Sequence, residues 1–154
     1  MDRVKDLVAT FSDFPKKGVQ FRDIMPVFRD PQAYAALLTE LERQITPLAS
    51  DCAGLIGVES RGFLLAAPLA ARMGLPFIPV RKPGKLPGNT YRRSFDLEYG
   101  KDVLEVQVDS IEKGRSYVIL DDLLATGGTL RAACDLIQDC GATVISRGYP
   151  LHRL

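Results

Sequence analysis

The chain has 154 residues, enough for one domain with a real core, and at 46% apolar and 25% charged residues it has the make-up of an ordinary globular protein. A net charge of +1 argues against a general nucleic-acid or polyanion binder. No apolar run approaches the roughly 20 residues of a membrane span, and the start Met1-Asp2-Arg3-Val4-Lys5 lacks the apolar stretch of a secretory signal.

Residues 1–29 combine a short amphipathic start with Phe14-Pro15, Gly18 and Pro26, which predicts a short helix and then an irregular arm. Asp30-Pro31 supplies an N-cap and a first-turn proline, and Tyr34, Leu37, Leu38, Leu41 and Ile45 follow at helical spacing, so a helix is predicted over 31–46. A short buried strand is expected at 54–58. A helix follows over 62–73 in spite of Pro68, closed by Gly74, and then a strand at 77–81. Residues 82–100 change character: Lys82, Pro83, Gly84, Lys85, Pro87, Gly88 and Asn89 predict a long polar loop, which inside a compact domain is functional or disordered. Alternation at 103–108 and the apolar run 117–120 are read as strands. Leu130, Ala133, Cys134 and Ile137 mark a helix ending near Gly141, and 142–145 is one more strand. Strands alternating with helices predict a single α/β domain over 1–154, a parallel sheet flanked by helices. Cys52, Cys134 and Cys140 are odd in number and lack C-x-x-C spacing, which predicts buried, reduced thiols and a cytoplasmic protein.

The most informative stretch is Tyr117–Thr129. An apolar strand stops at Asp121-Asp122, the small-residue loop Ala125-Thr126-Gly127-Gly128-Thr129 follows, and a helix begins. Free backbone N–H groups and two hydroxyls at a helix N-terminus suit a phosphate. Two carboxylates repel that phosphate, so they accept hydrogen bonds from hydroxyls or face a metal ion. Together these predict a sugar phosphate. The nucleoside-triphosphate P-loop pattern and the dinucleotide pattern G-x-G-x-x-G are both absent.

These residues, with their neighbours, carry a family resemblance. Residues 118–129 resemble the phosphoribosyl-diphosphate motif of the type I phosphoribosyltransferases. Phe11-Ser12-Asp13-Phe14-Pro15, Gly18-Val19-Gln20-Phe21-Arg22-Asp23-Ile24, Glu59-Ser60-Arg61-Gly62-Phe63, Arg81-Lys82-Pro83-Gly84-Lys85-Leu86-Pro87-Gly88 and Leu97-Glu98-Tyr99-Gly100 narrow it to the adenine phosphoribosyltransferase branch of that family. The resemblance implies a Rossmann-like parallel sheet with a small N-terminal hood at 1–29, and transfer of a phosphoribosyl group to N9 of adenine, giving AMP and diphosphate. It implies that Ala125, Thr126, Gly127, Gly128 and Thr129 hold the 5′-phosphate, with Asp121 and Asp122 at the ribose hydroxyls and near the charge that develops there. Glu59, Ser60 and Arg61 would bind diphosphate through backbone amides and the guanidinium, joined by Arg81, Lys82, Lys85 and Tyr99. Adenine would stack on Phe21, lie against Leu123 and be read by backbone groups of Gln20 and Arg22. Residues 85–99 would form a mobile lid carrying Glu98 as general acid or base. Mg²⁺ is implied, held mainly by substrate oxygens, as is a homodimer, with no nucleic-acid or membrane partner.

After Ile145 the resemblance stops. The family continues with further strand segments, whereas 146–154 diverges, and the expectation is that apolar surface on the last helix and strand lies exposed. His152, the only histidine, reads as an exposed end residue. Two other readings follow: a catalytically impaired variant that binds nucleotide or pairs with a full-length subunit, and a transferase for another purine base. A ligand-sensing regulator would need a DNA-binding module, and the arm 1–29 is too short and not basic enough for one.

Overall fold

The computed structural model describes residues 2–14, 16–96, 100–121 and 128–147. Helix α1 (Asp2–Leu7) leads into strands β1 (Ala9–Ser12) and β2 (Gln20–Asp23), then α2 (Met25–Arg29) and α3 (Pro31–Ile45). The central unit is β3 (Cys52–Val58), α4 (Gly62–Met73) and β4 (Phe77–Val80). A hairpin of β5 (Thr90–Asp96) and β6 (Lys101–Gln107) follows, then β7 (Ser116–Leu120), α5 (Gly128–Asp139) and β8 (Thr143–Arg147).

Strands β4, β3, β7 and β8 form one parallel sheet in that order. The chain runs from β3 outward to β4, then returns to the other side of β3 to lay down β7 and β8. The order therefore reverses between β3 and β7, and in open α/β sheets the carboxyl ends of the strands at such a switch point border the ligand crevice. Side-chain alternation in the two central strands divides the core into two layers. Leu55, Val118 and Leu120 face α3 and α4, whereas Ile56, Val58, Tyr117 and Ile119 face α5 and the β5–β6 hairpin. The parallel sheet expected from the alternating pattern is thus present, with helices on both faces.

The predicted helix α3 starts as expected. The Asp30 carboxylate accepts from the N–H groups of Gln32 and Ala33, each at 3.0 Å, and Pro31 occupies the first turn. Asp30 also accepts from Arg3 Nε at 2.9 Å, which ties α1 to α3. The Arg3 hydrogen bond, then that of the Ala33 N–H, holds the Asp30 carboxyl below the usual carboxylate range. Helix α4 survives Pro68 because the carbonyl that the missing N–H would have bonded, that of Leu64, accepts from the Tyr34 hydroxyl instead. Gly74 closes the helix in the left-handed region at φ 65°. All three cysteines are free and buried; burial pushes the Cys52 thiol up and the Cys140 thiol to about 11, which leaves both protonated and inert at neutral pH.

Three expectations are corrected. The arm over 1–29 is not irregular: β1 and β2 pair antiparallel from Ala9↔Asp23 to Ser12↔Gln20. Asp13, left-handed at φ 59°, accepts from the Gly18 N–H at 2.6 Å at the turn. Within the expected loop 82–100, Thr90–Asp96 is a strand that pairs in unbroken register with Lys101–Gln107. Its inward face is Tyr91, Arg93 and Phe95. A charge in the middle of that stripe hides the period, and Arg93 is accommodated by ion pairs to Asp135 at 3.2 Å and Asp139 at 2.5 Å on α5. Finally, among the described residues the large exposed apolar side chains lie on the first hairpin, α2, α4 and β4, not on α5 or β8. The apolar face of α5 packs on the sheet and on the hairpin, which covers it. His152 lies outside the described residues.

Replacing Tyr34 with phenylalanine strands the Leu64 carbonyl. The expected outcome is a loss of about 1 kcal/mol of stability, read as a lower urea midpoint with an unchanged slope.

Candidate active site

The two loops at the crevice are held together by a backbone contact that only glycine permits. A Cβ on Gly62, the first residue of α4, would stand 2.7 Å from the Leu120 carbonyl oxygen and 3.6 Å from the Asp121 Cα. One on Gly57 would meet Ala66 Cβ and Phe77 Cε2, each at 3.0 Å. Without these side chains, the N-terminus of α4 sinks against the ends of β3 and β7. Gly62, directly after Ser60 and Arg61 in the chain, thereby lies close to the backbone of the half-buried Asp121.

The first hairpin lies on the same side. The Arg61 guanidinium sits over the Phe21 ring at 5.4 Å, and Phe14 meets that ring edge-on at 5.0 Å. Phe21 is half-buried, while the flanking Gln20 and Arg22 side chains are exposed on a two-stranded ladder. Such a ladder leaves alternate backbone groups on its outer edge for a ligand. Gly128 and Thr129 open α5, with Thr129 half-buried at the helix start.

The basic segment after β4 is exposed, but its cations are tied down by specific contacts. Arg81 pairs with Glu105 through two backbone hydrogen bonds, N to O at 2.9 Å and the reverse at 2.7 Å. The Glu59 carboxylate, 8% exposed, receives Arg81 Nε at 2.9 Å, the Lys82 N–H at 3.1 Å and Lys85 Nζ at 2.6 Å. Lys82 Nζ reaches Asp102 at 2.9 Å. Arg81 also lies over the Phe63 ring at 5.6 Å. The three cations expected at a diphosphate are therefore all engaged with carboxylates, Arg81 and Lys85 with Glu59 and Lys82 with Asp102.

This arrangement corrects the place given to Glu59. Its backbone N–H donates to the Val80 carbonyl at 3.0 Å and is not available to an anion, and its carboxylate faces cations. Burial pushes the Glu59 carboxyl up, but the bonds from Lys85, the Lys82 N–H and Arg81 together outweigh it and hold the group below its ordinary value. Asp102 is lowered chiefly by Lys82, against burial.

A family model for the phosphoribosyl transferase domain matches residues 34–147. The chain belongs to this family. It is similar to the adenine phosphoribosyltransferase of Bifidobacterium longum subsp. infantis, 49% identical over 146 residues that cover 95% of this chain and 76% of that one. The Synechococcus enzyme of the same name is 47% identical over 149 residues, covering 97% and 86%. Among solved structures, the adenine phosphoribosyltransferase of Thermoanaerobacter pseudethanolicus matches with a TM-score of 0.85 at 44% identity, over 93% of this chain and 82% of that one. The Saccharomyces cerevisiae enzyme, in complex with an imino-altritol bisphosphate and adenine, matches with a TM-score of 0.88 at 32% identity, over 99% and 89%.

Of the residues expected at the site, Phe21, Ser60, Arg61, Arg81, Lys82, Lys85, Asp121, Gly128 and Thr129 are described; Arg61 meets Phe21, and Arg81 and Lys85 meet at Glu59. Glu98, Tyr99, Asp122, Leu123, Ala125, Thr126 and Gly127 lie outside the described residues. Two acids were missed from the sequence, Asp102 and Glu105. Glu105 carried a signal, as a single charge between Leu104 and Val106 in a strand that alternation alone would leave half apolar. It is 1% exposed; its Oε2 accepts from the Gly84 N–H at 3.3 Å. Arg92 Nε lies 2.7 Å from Oε1 but off the line of a directed hydrogen bond, so charge alone pairs that oxygen.

Two outcomes are expected. Gly62→Ala forces its Cβ onto the Leu120 carbonyl and should destabilise by about 1–3 kcal/mol, measured by denaturant unfolding. Because the folded-state values of Glu59 and Asp102 are depressed, their stabilisation is complete above the ordinary carboxylate range of about pH 4. It is lost as the pH falls through their lowered values. Unfolding midpoints taken between pH 6 and pH 2.5 should fall on the acid side, and fall less in Glu59→Gln.

Proposed function

We propose that the chain transfers the phosphoribosyl group of 5-phospho-α-D-ribose 1-diphosphate to N9 of adenine, releasing AMP and diphosphate, as a cytoplasmic enzyme of purine salvage. The observation that carries this reading is the crevice between the ends of β3 and β7. There, Asp121 after β7 lies against the start of α4, which carries the turn with Arg61 after β3, an approach that Gly62 permits, in a chain whose relatives bear the name of that enzyme.

The roles follow from charge. Backbone N–H groups of 125–129 and the Thr126 and Thr129 hydroxyls would receive the 5′-phosphate at the N-terminus of α5. Asp121 and Asp122 would accept from the ribose hydroxyls and stabilise the positive charge that grows on the sugar as the diphosphate departs. Arg61, Arg81, Lys82 and Lys85 would take the negative charge that accumulates on the leaving group, with Tyr99 helping to position it. The base would stack on Phe21, against Leu123, with Gln20 and Arg22 backbone groups at its amino edge, while Arg61 swings from the ring towards the diphosphate. Glu98 would handle the proton of the adenine ring.

Mg²⁺ fits this arrangement as a passenger of the substrate. Among the described residues no group of three or more His, Cys, Asp or Glu side chains could hold a metal, so diphosphate and sugar oxygens would be its main ligands. When bound, it would neutralise part of the leaving-group charge. A homodimer is proposed as well. β4 is an edge of the sheet and carries the exposed Phe77, with the exposed Leu64 nearby on α4, and light scattering should return twice the chain mass. Among the described residues no helix is long and apolar enough to cross a membrane.

Labelled adenine incubated with phosphoribosyl diphosphate and Mg²⁺ should yield AMP, with hypoxanthine, guanine and xanthine competing weakly. A folded sample that gives no AMP overturns the proposal, and preferential use of another base moves it to that substrate. Asp122→Asn should lower kcat by on the order of 10²-fold, the loss typical of a removed electrostatic stabiliser; an unchanged kcat would remove that role.

A further inference from the structure

Glu59 stands where a polyanion is expected, yet it is an acid. Its carboxylate is nearly buried at the end of β3 and fixed there, because its own N–H is bonded to Val80. The groups that converge on it come from 22 to 26 residues further along the chain. They include both long cations, Arg81 and Lys85, whose side chains are 32% and 50% exposed. The acid is thus the rigid partner and the cations are the adaptable ones.

Donor counts separate orientation from neutralisation. An ammonium has three N–H donors and a guanidinium five. Glu59 takes one from Lys85 and one from Arg81, and the Lys85 carbonyl accepts a long contact from Arg81 Nη1 at 3.4 Å. Both cations therefore keep donors for a second anion while their flexible stems are held in one place. A lysine or arginine that is already ordered loses less side-chain freedom when a ligand arrives. From this geometry we infer that Glu59 is a positioning residue: it touches no substrate, and it presets the Arg81 and Lys85 side chains, with the Lys82 backbone, as one anion-binding unit. The inference rests on the transferase reading, which supplies diphosphate as the anion.

The test separates the diphosphate side of the site from the rest. AMP carries the base and the 5′-phosphate but no diphosphate. Glu59→Gln keeps the shape and removes the charge. Calorimetry with diphosphate and Mg²⁺ should show affinity about tenfold weaker, the loss of one charge-assisted contact's orientation, with AMP affinity unchanged. In turnover, KM for phosphoribosyl diphosphate should rise while KM for adenine stays put. Glu59→Asp, which restores the charge on a shorter arm, should recover part of the loss and serves if the glutamine variant folds poorly. In the double variant Glu59→Gln/Lys85→Gln, the loss beyond Lys85→Gln alone should be smaller than the loss Glu59→Gln causes in the wild type, because only the Arg81 side chain remains to be oriented. Unchanged diphosphate affinity in Glu59→Gln overturns the inference, as does an equal loss for AMP and diphosphate, which would make Glu59 a folding contact. Either result leaves the transferase reading intact, since wild-type turnover tests that by itself.

Discussion

Everything at the site depends on how closely the start of α4 approaches the end of β7. With no side chain on Gly62, the start of α4 lies directly on the Leu120 carbonyl and close to the Asp121 backbone, which joins segments from distant parts of the chain. The approach works only because β3 and β7 are adjacent and parallel, with Gly57 aligned with Leu120. It also works because Gly57 leaves room beneath Ala66 for the helix. The switch point of the sheet is where such folds bind ligands, and these two glycines let α4 sit close against the ends of β3 and β7 there.

Electrostatics then fills that crevice with opposed charges in separate places. Asp121 lies at the end of β7, while Arg81, Lys82 and Lys85 gather at the end of β4, one strand beyond β3. A phosphoribosyl diphosphate develops positive charge at its sugar and negative charge at its leaving group, and the two poles of the site match that polarity. The basic pole would be unstable if left to self-repulsion. Glu59 and Asp102 neutralise it from beside and beneath, and Glu105 anchors its backbone from the second hairpin.

That hairpin links the poles mechanically. Strand β6 carries Asp102 and Glu105 towards the basic segment, while β5 packs on α5 through Tyr91, Phe95 and the Arg93 ion pairs. Helix α5 begins at Gly128 and Thr129, the end of the proposed phosphate loop. One two-stranded ladder therefore braces both the cations that suit the diphosphate and the helix that suits the 5′-phosphate.

The sequence by itself determined most of the elements and the chemistry. Period 3.6 in α3 and α5, the caps Asp30 and Gly74, and the apolar run into Asp121-Asp122 are local signals, and each produced the element they predict. The motifs named a sugar phosphate, and their resemblance named the family. What only the tertiary structure decided were the pairings between segments far apart in the chain. Strand β5 escaped notice because Arg93 interrupts its inward stripe, and the charge is tolerated only where Asp135 and Asp139 of α5 meet it. The first hairpin escaped because four-residue strands with exposed faces show no clear alternation. Glu59 looked like part of an anion-binding turn until folding placed Arg81 and Lys85 on its carboxylate. Local propensity records what a residue prefers alone; the use made of its charge depends on which groups the fold brings to it.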